Sequence, residues 1–218
     1  MTVVKPRFST FGFTLGNITI PYYIGAIPFN IPKVKMARPA LCERAVELPL
    51  AYAFLQAYMP NILELGGVTP YYFKSDHLVI DIYDKHPRCS HKDILDINNY
   101  KGKNVLSIST LEHIQNVQAA YDTICRINAE ASHYLITLPI GFNFALDTLI
   151  KIKPPIARCT VLYRTTGAVS PTWKIDLANS FAYKYNTPFK YANAIRIFTS
   201  EPLETLCNLD YNKRKKGA

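Results

Sequence analysis

The chain has 218 residues, 49% hydrophobic and 19% charged, with a formal net charge of +9. That length is enough for one α/β domain with a substantial core, and the composition excludes a chain disordered throughout. The positive balance favours anionic partners, from nucleotides to nucleic acid, and says nothing about fold.

Thr10 to Tyr23 alternates apolar residues, Phe11, Phe13 and Leu15 and then Ile18 and Ile20, about Gly16-Asn17. This is the signature of a β-hairpin with a two-residue turn. Prolines at 21, 28, 32 and 39 follow, so residues 21–39 read as an irregular arm. An isolated hairpin is marginal in water, so it is expected to pack on the main domain or on a partner. Cys42 to Met59 carries a helical stripe of Ala51, Phe54, Leu55 and Tyr58. Pro49 is expected near the first turn of this helix, and Pro60 ends it.

Strands are predicted at Ile62 to Leu65, Leu78 to Ile82 and Val105 to Ser109. Val68 to His77 is too short for a crossover helix and is cut by Pro70, so it must be a loop or one short turn. Asp93 to Ile97 reads as a turn or a short strand end, and Lys101 to Asn104 as a turn. Gln115 to Glu130 has a helical period. A strand over Ser132 to Leu138, ended by Pro139 and Gly141, and a helix over Asn143 to Ile152 come next. Late strands are expected at Thr160 to Arg164, Trp173 to Asp176 and Ala192 to Thr199. The expected division is a hairpin and arm over 1–40, a main domain over 41–205 and a basic, disordered tail over 206–218.

The central runs are short, apolar and stopped by polar residues or glycine, which is the pattern of buried parallel strands. Their carboxyl ends then bring Glu64, Asp81 and Ser109 to one sheet edge, where open α/β sheets bind small molecules. The fold class is therefore α/β, a Rossmann-like, mostly parallel sheet with flanking helices and an N-terminal β-hairpin extension.

At this point the residues resemble the class I S-adenosylmethionine-dependent methyltransferase family. Leu63-Glu64-Leu65-Gly66-Gly67 is similar to the family's first motif. Asp81, 17 residues after Glu64, stands at the place of the ribose-binding acid. Ser107-Ile-Ser-Thr-Leu-Glu-His113 is similar to the strand-four motif of small-molecule enzymes of this class. Lys92-Asp93-Ile94 fits the place where an acid and the next N–H meet the adenine, and Leu135 to Pro139 with Gly141 looks like strand five. The resemblance spans roughly Glu43 to Thr199. It implies S-adenosylmethionine as cofactor, held by Glu64, Gly66, Gly67, Asp81, Asp93, Ile94 and Ser109. His113, whose ordinary pKa of about 6.5 suits proton removal at neutral pH, is the candidate base, with a capping role at the next helix as the alternative. The acceptor (small molecule, sugar or RNA) is not identified by any motif.

The chain departs from the family at Val68, where a third glycine is usual, and in the missing helix after it. A reading of another class therefore stands beside the enzyme. The fold could be retained without the chemistry, in a structural subunit that meets nucleic acid or protein through its basic surface and hairpin. His86, Cys89, His91 and Asp93 match no closed zinc spacing, so no metal site is expected. Tyr71, Tyr72 and Phe73 are candidates for stacking on a base or on the adenine. Five scattered cysteines (42, 89, 125, 159 and 207) without a Cys-x-x-Cys read as free thiols in a reducing, cytoplasmic setting. The start of the chain does not read as a signal peptide, and no apolar run reaches the about 18 residues a membrane span needs.

Overall fold

The computed structural model describes residues 10–15, 18–23, 42–165, 173–176, 183–203 and 205–206. The Gly16-Asn17 turn, residues 24–39 of the arm and the tail beyond 206 lie outside the described residues. Strands β1 (Thr10–Leu15) and β2 (Ile18–Tyr23) pair antiparallel with Leu15 opposite Ile18, so two residues separate them, as the alternation requires. Pro21 falls within β2, opposite Gly12, rather than at the head of an arm. A two-stranded ribbon has edges where a missing N–H costs no ladder bond, so proline is tolerated there. The ribbon lies against α1 (Arg44–Tyr58) and β9 (Trp173–Ile175).

The main sheet has eight strands. Besides β9 they are β3 (Ile62–Leu65), β4 (Leu78–Ile80), β5 (Cys89–Ser90), β6 (Asn104–Ile108), β7 (His133–Pro139), β8 (Cys159–Arg164) and β10 (Ala194–Thr199). Their order is β5-β4-β3-β6-β7-β10-β8-β9. The first five are parallel, and β10 is antiparallel to both β7 and β8. The chain starts at the centre with β3, runs outward to β5, then crosses back to β6 on the other side. That reversal is the topological switch point of a doubly wound sheet, and it lies between β3 and β6. The fold is the expected Rossmann-like α/β sheet. The two-residue β5 shows no periodicity in the sequence and is defined by its pairing with β4.

The central strands are apolar on both faces because helices cover both. Leu106, Ile108 and Leu135 face α1, packing with Val46, Leu50, Phe54 and Leu55. Val105, Ile136 and Leu138 face the other way, toward α2 (Val117–Glu130) and α3 (Phe144–Ile152) through Tyr121, Ile124, Ile127, Leu146 and Ile150. Asn116 and Asn143 start these two helices, each accepting an N–H on its side chain, from Ala119 and Leu146. Pro49 sits in the second turn of α1, inside the helix. The helix begins at Arg44, earlier than a proline-led start would place it. Burial of the flanking Leu48 and Leu50 offsets the lost backbone bond. No helix among the described residues is long and apolar enough to cross a membrane.

One buried ion pair ties the last strand to α3. Arg196 of β10 is fully buried and donates to Asp147 at 2.8 Å, while the other Asp147 oxygen accepts the Gly141 N–H at 2.7 Å. Replacing Asp147 by Ala is expected to cost about 3 kcal/mol, because a buried guanidinium loses its carboxylate. Urea unfolding measures it, and a loss below about 1 kcal/mol would show the pair to be dispensable.

Candidate functional site

The carboxyl ends of the parallel strands meet at one cleft of about 890 Å³. Gly67 and Val68 reach it from β3, Asp81 and Ile82 from β4, Asp93, Ile94 and Leu95 from β5, and Ser109, Thr110 and His113 from β6. Six of the eight cofactor and base candidates therefore line one cavity: Gly67, Asp81, Asp93, Ile94, Ser109 and His113. Glu64 and Gly66 are not among the lining residues.

Glu64 is fully buried beneath the loop that follows β3. Its carboxylate accepts the N–H groups of Val68 (3.1 Å) and Thr69 (2.8 Å) and the Thr69 hydroxyl, and faces His77 Nε2 at 2.7 Å. Those N–H groups open the single 3₁₀ turn, Thr69–Tyr71, that stands where a crossover helix is usual. The first N–H groups of a helical turn have no internal partner, and an acid below them supplies one.

The two glycines serve contacts within the chain. Gly66 has φ +90°, and a Cβ there would collide with the Thr110 hydroxyl and lie 2.6 Å from its Cγ2. Glycine thus lets the end of β3 close on Thr110, in the loop after β6, across the switch point. A Cβ on Gly67 would lie 2.8 Å from Cys89 Sγ and 2.9 Å from the Asp84 carboxyl.

Asp81 orders two loops. It accepts the Gly67 N–H at 3.0 Å on one oxygen and those of Tyr83 (2.8 Å) and Asp84 (2.9 Å) on the other. Asp93 caps its own turn, accepting from Leu95 N at 2.9 Å. Beside them Ile82 and Leu95 leave large apolar surfaces uncovered, 44% and 40% exposed. Tyr71 reaches the cleft with its hydroxyl on Asp84, whereas Phe73 packs on Tyr52 against the edge of the core.

A second group of charges lies behind Arg44, which lines the cleft, and no motif in the sequence singles it out. Glu47 of α1 is fully buried and binds the hydroxyls of Ser109 and Thr137 and the Arg44 guanidinium. Burial pulls the Arg44 pKa down, but Glu47 and Glu43 pull it up by more, so it is held firmly charged. Burial, then the Glu47 charge, raises the pKa of Glu43. Glu112 is buried as well, and burial drives its pKa far above the usual carboxylate range. His113, 60% exposed, stands with Nε2 3.8 Å from Glu112 and its ring on Phe142. Its pKa is lowered, first by partial enclosure and then by Arg44. Glu43, Arg44 and Glu47 in an otherwise apolar helix start were the available sequence signal, because charges there must be paired or functional.

His86, Cys89, His91 and Asp93 do not converge. Among the described residues no group of three or more His, Cys, Asp or Glu side chains could hold a metal ion. Among the described residues, Cys89, Cys125 and Cys159 form no disulfide.

No protein-family model and no curated protein matches the sequence. Among solved structures, the chain is similar to magnesium protoporphyrin IX methyltransferase from Synechocystis PCC 6803 with bound S-adenosylmethionine. The identity is 11%, the coverage 71% of this chain and 77% of that one, and the TM-score 0.39. The same enzyme with bound S-adenosylhomocysteine gives 14% identity, 71% and 81% coverage and a TM-score of 0.36. A chain of the Pnkp1/Rnl/Hen1 RNA repair complex gives 12% identity and a TM-score of 0.35, over 68% of this chain and 40% of that one.

The glycine geometry predicts a contrast. Gly66→Ala is expected to cost about 3 kcal/mol, from both its positive φ and the Thr110 collision. Gly102→Ala, at φ +68° with nothing within 4 Å of the added carbon, is expected to cost only about 1 kcal/mol. Equal losses in denaturant titrations of the two variants would show that the close approach at the switch point carries no weight.

Proposed function

We propose that the chain is an S-adenosylmethionine-dependent methyltransferase. The observation that carries this is the convergence of the loops after four parallel strands on one cleft at the switch point, with Asp81 and Asp93 on its wall. A cleft of about 890 Å³ suits a nucleoside-sized ligand.

The residues fit that ligand. A carboxylate has about four acceptor positions, and Asp81 spends three on backbone N–H groups, leaving one for a ribose hydroxyl. The exposed apolar faces of Ile82 and Leu95 suit the two faces of a purine, and the Asp93 carboxylate and the Ile94 N–H suit its edge. Gly67 and Val68 would flank the amino acid end. Glu64 acts one layer back, by fixing the loop that carries them, and Ser109 is held in place by Glu47. Bound there, the cofactor would supply an electrophilic methyl group on a sulfonium. The protein's part is to hold an acceptor in line with it and to take away the acceptor's proton. His113 lines the cleft, is open to solvent and is kept neutral at pH 7 by its lowered pKa, so it can receive that proton.

Calorimetric titration with S-adenosylmethionine and with S-adenosylhomocysteine tests the cofactor. Binding in the micromolar range is expected, weakened at least tenfold in Asp81→Asn, a change that costs the fold about 1 kcal/mol. An affinity unchanged by that substitution would sink the assignment. No binding at millimolar ligand by the folded protein would favour the structural-subunit reading.

The pH dependence follows from the direction of the His113 shift. A base with a lowered pKa is competent above that pKa, so transfer should hold from neutral down past the ordinary histidine value of about 6.5 and fall only below it. His113→Gln should remove that acid limb. A rate that already falls at pH 7, or an acid limb that survives in the variant, would assign the base elsewhere.

A further inference from the structure

Arg44 is the only lysine or arginine among the described residues that line the cleft, where the acids are Asp81, Asp84 and Asp93. A guanidinium carries five N–H donors. Among the described residues Arg44 is hydrogen-bonded to Glu47 alone, through Nη1. Its Nε and Nη2 groups have no partner there, and neither is sealed from solvent, the side chain being 18% exposed. Those two groups stand side by side on one edge of the guanidinium fork.

Two loops bracket this group. Tyr72, just past the 3₁₀ turn, and His113, after β6, both lie within electrostatic reach of Arg44. The cation therefore stands between the loops after β3 and β6, near the candidate base. It is held from behind. Glu47 takes Nη1 on one oxygen and spends the other on the Ser109 and Thr137 hydroxyls. Burial opposes the charge of Arg44, but Glu47 and then Glu43 outweigh it. Glu43 and Glu112 do not repel a ligand strongly. Burial raises the pKa of each, which favours the neutral acid, and neither lines the cleft.

We propose that Arg44 is the residue of the cleft that binds a ligand's carboxylate, taking its two oxygens on Nε and Nη2. This rests on the methyltransferase reading. A guanidinium edge and a carboxylate match in plane, spacing and charge, and pair through two N–H groups at once. A phosphate monoester would bring about two negative charges to a wall of three aspartates and one arginine. An amide would accept the same N–H groups without the gain of opposite charge. Two ligands could bring the carboxylate. The amino acid end of S-adenosylmethionine terminates in one, and an acceptor acid seated beside His113 is the other source.

The test titrates the full chain calorimetrically with S-adenosylhomocysteine and with 5′-methylthioadenosine, which keeps the nucleoside and lacks the amino acid end. Benzoate and benzamide are then compared on the unloaded protein and on protein loaded with S-adenosylhomocysteine. In the unloaded protein benzoate is expected to bind about tenfold more tightly than benzamide, the worth of one charge-assisted bond. If the carboxylate is the cofactor's, S-adenosylhomocysteine exceeds 5′-methylthioadenosine by about tenfold or more, and loading abolishes the benzoate preference. If it is the acceptor's, the two nucleosides bind alike and the benzoate preference survives loading. In either case Arg44→Gln removes the preference. Arg44→Lys, which keeps a cation beside Glu47 but loses the fork, reduces it at least about threefold. Thermal melting confirms that each variant is folded, and the lysine variant decides alone if the glutamine variant is not. No preference for a carboxylate in any arm, or one that a folded variant leaves unchanged, overturns the proposal. If neither nucleoside binds, the methyltransferase reading fails, and benzoate against benzamide on the unloaded protein still judges Arg44.

Discussion

A loop that replaces a helix has to find partners for its own N–H groups, and in this protein Glu64 provides them. In a doubly wound sheet the segment after the first strand normally continues as a crossover helix, whose internal bonds satisfy all but its first turn. This chain allows only nine residues, 69–77, between Val68 and β4. One 3₁₀ turn fits, and its opening N–H groups would be orphaned over a buried sheet. Glu64 lies on the α1 side of β3, beneath that turn, and takes two of those N–H groups and a hydroxyl. The acid of the first motif is thus explained by backbone accounting before any ligand is considered.

The same logic repeats along the sheet edge. Asp81 gathers three N–H groups from two loops, and Asp93 one from its own turn. Loops held by carboxylates at the strand ends keep their positions relative to the rigid sheet, which is what a binding cleft needs. At the far end the direction is reversed. Glu47 descends from α1 and binds the hydroxyls that follow β6 and lie on β7, so the helix start is fixed over the strand ends. Arg44 is drawn in with it and becomes a wall of the cleft. Removing either carboxylate would leave a buried cation or orphaned donors, a larger loss than a surface pair could cause.

Four of the five parallel strands and the three helices were legible because each is a clear apolar run or period with a polar or glycine stop. Ile62 to Leu65 matches the observed β3 residue for residue, and the short connection after it was forced by length and by Pro70. Six of the candidate residues share one cleft because strand ends in such a sheet share an edge. Other features were hidden for physical reasons. The two-residue β5 has no period to detect. Glycine next to a binding loop suggests close approach by a ligand, but whether a ligand or Thr110 fills that space depends on which strands are neighbours. The group of Glu43, Arg44 and Glu47 involves contacts over 62 and 90 residues of sequence, from Ser109 and Thr137, which no local pattern encodes.

Val68 looks, in the sequence, like a break in the glycine motif. A third glycine in such a loop matters when a following helix must pack closely on the strand, because a side chain there would hold the two apart. With no helix, that demand is absent. Val68 has φ −86°, an ordinary value for a branched residue, and its side chain packs against the core on the α1 side while its backbone stays bonded to Glu64. The branched residue and the short connection are therefore compatible with each other. With no helix after β3, Val68 and Phe73, the latter on Tyr52, pack against the core on that side. The cleft beside them remains open, with Val68 as one of its walls.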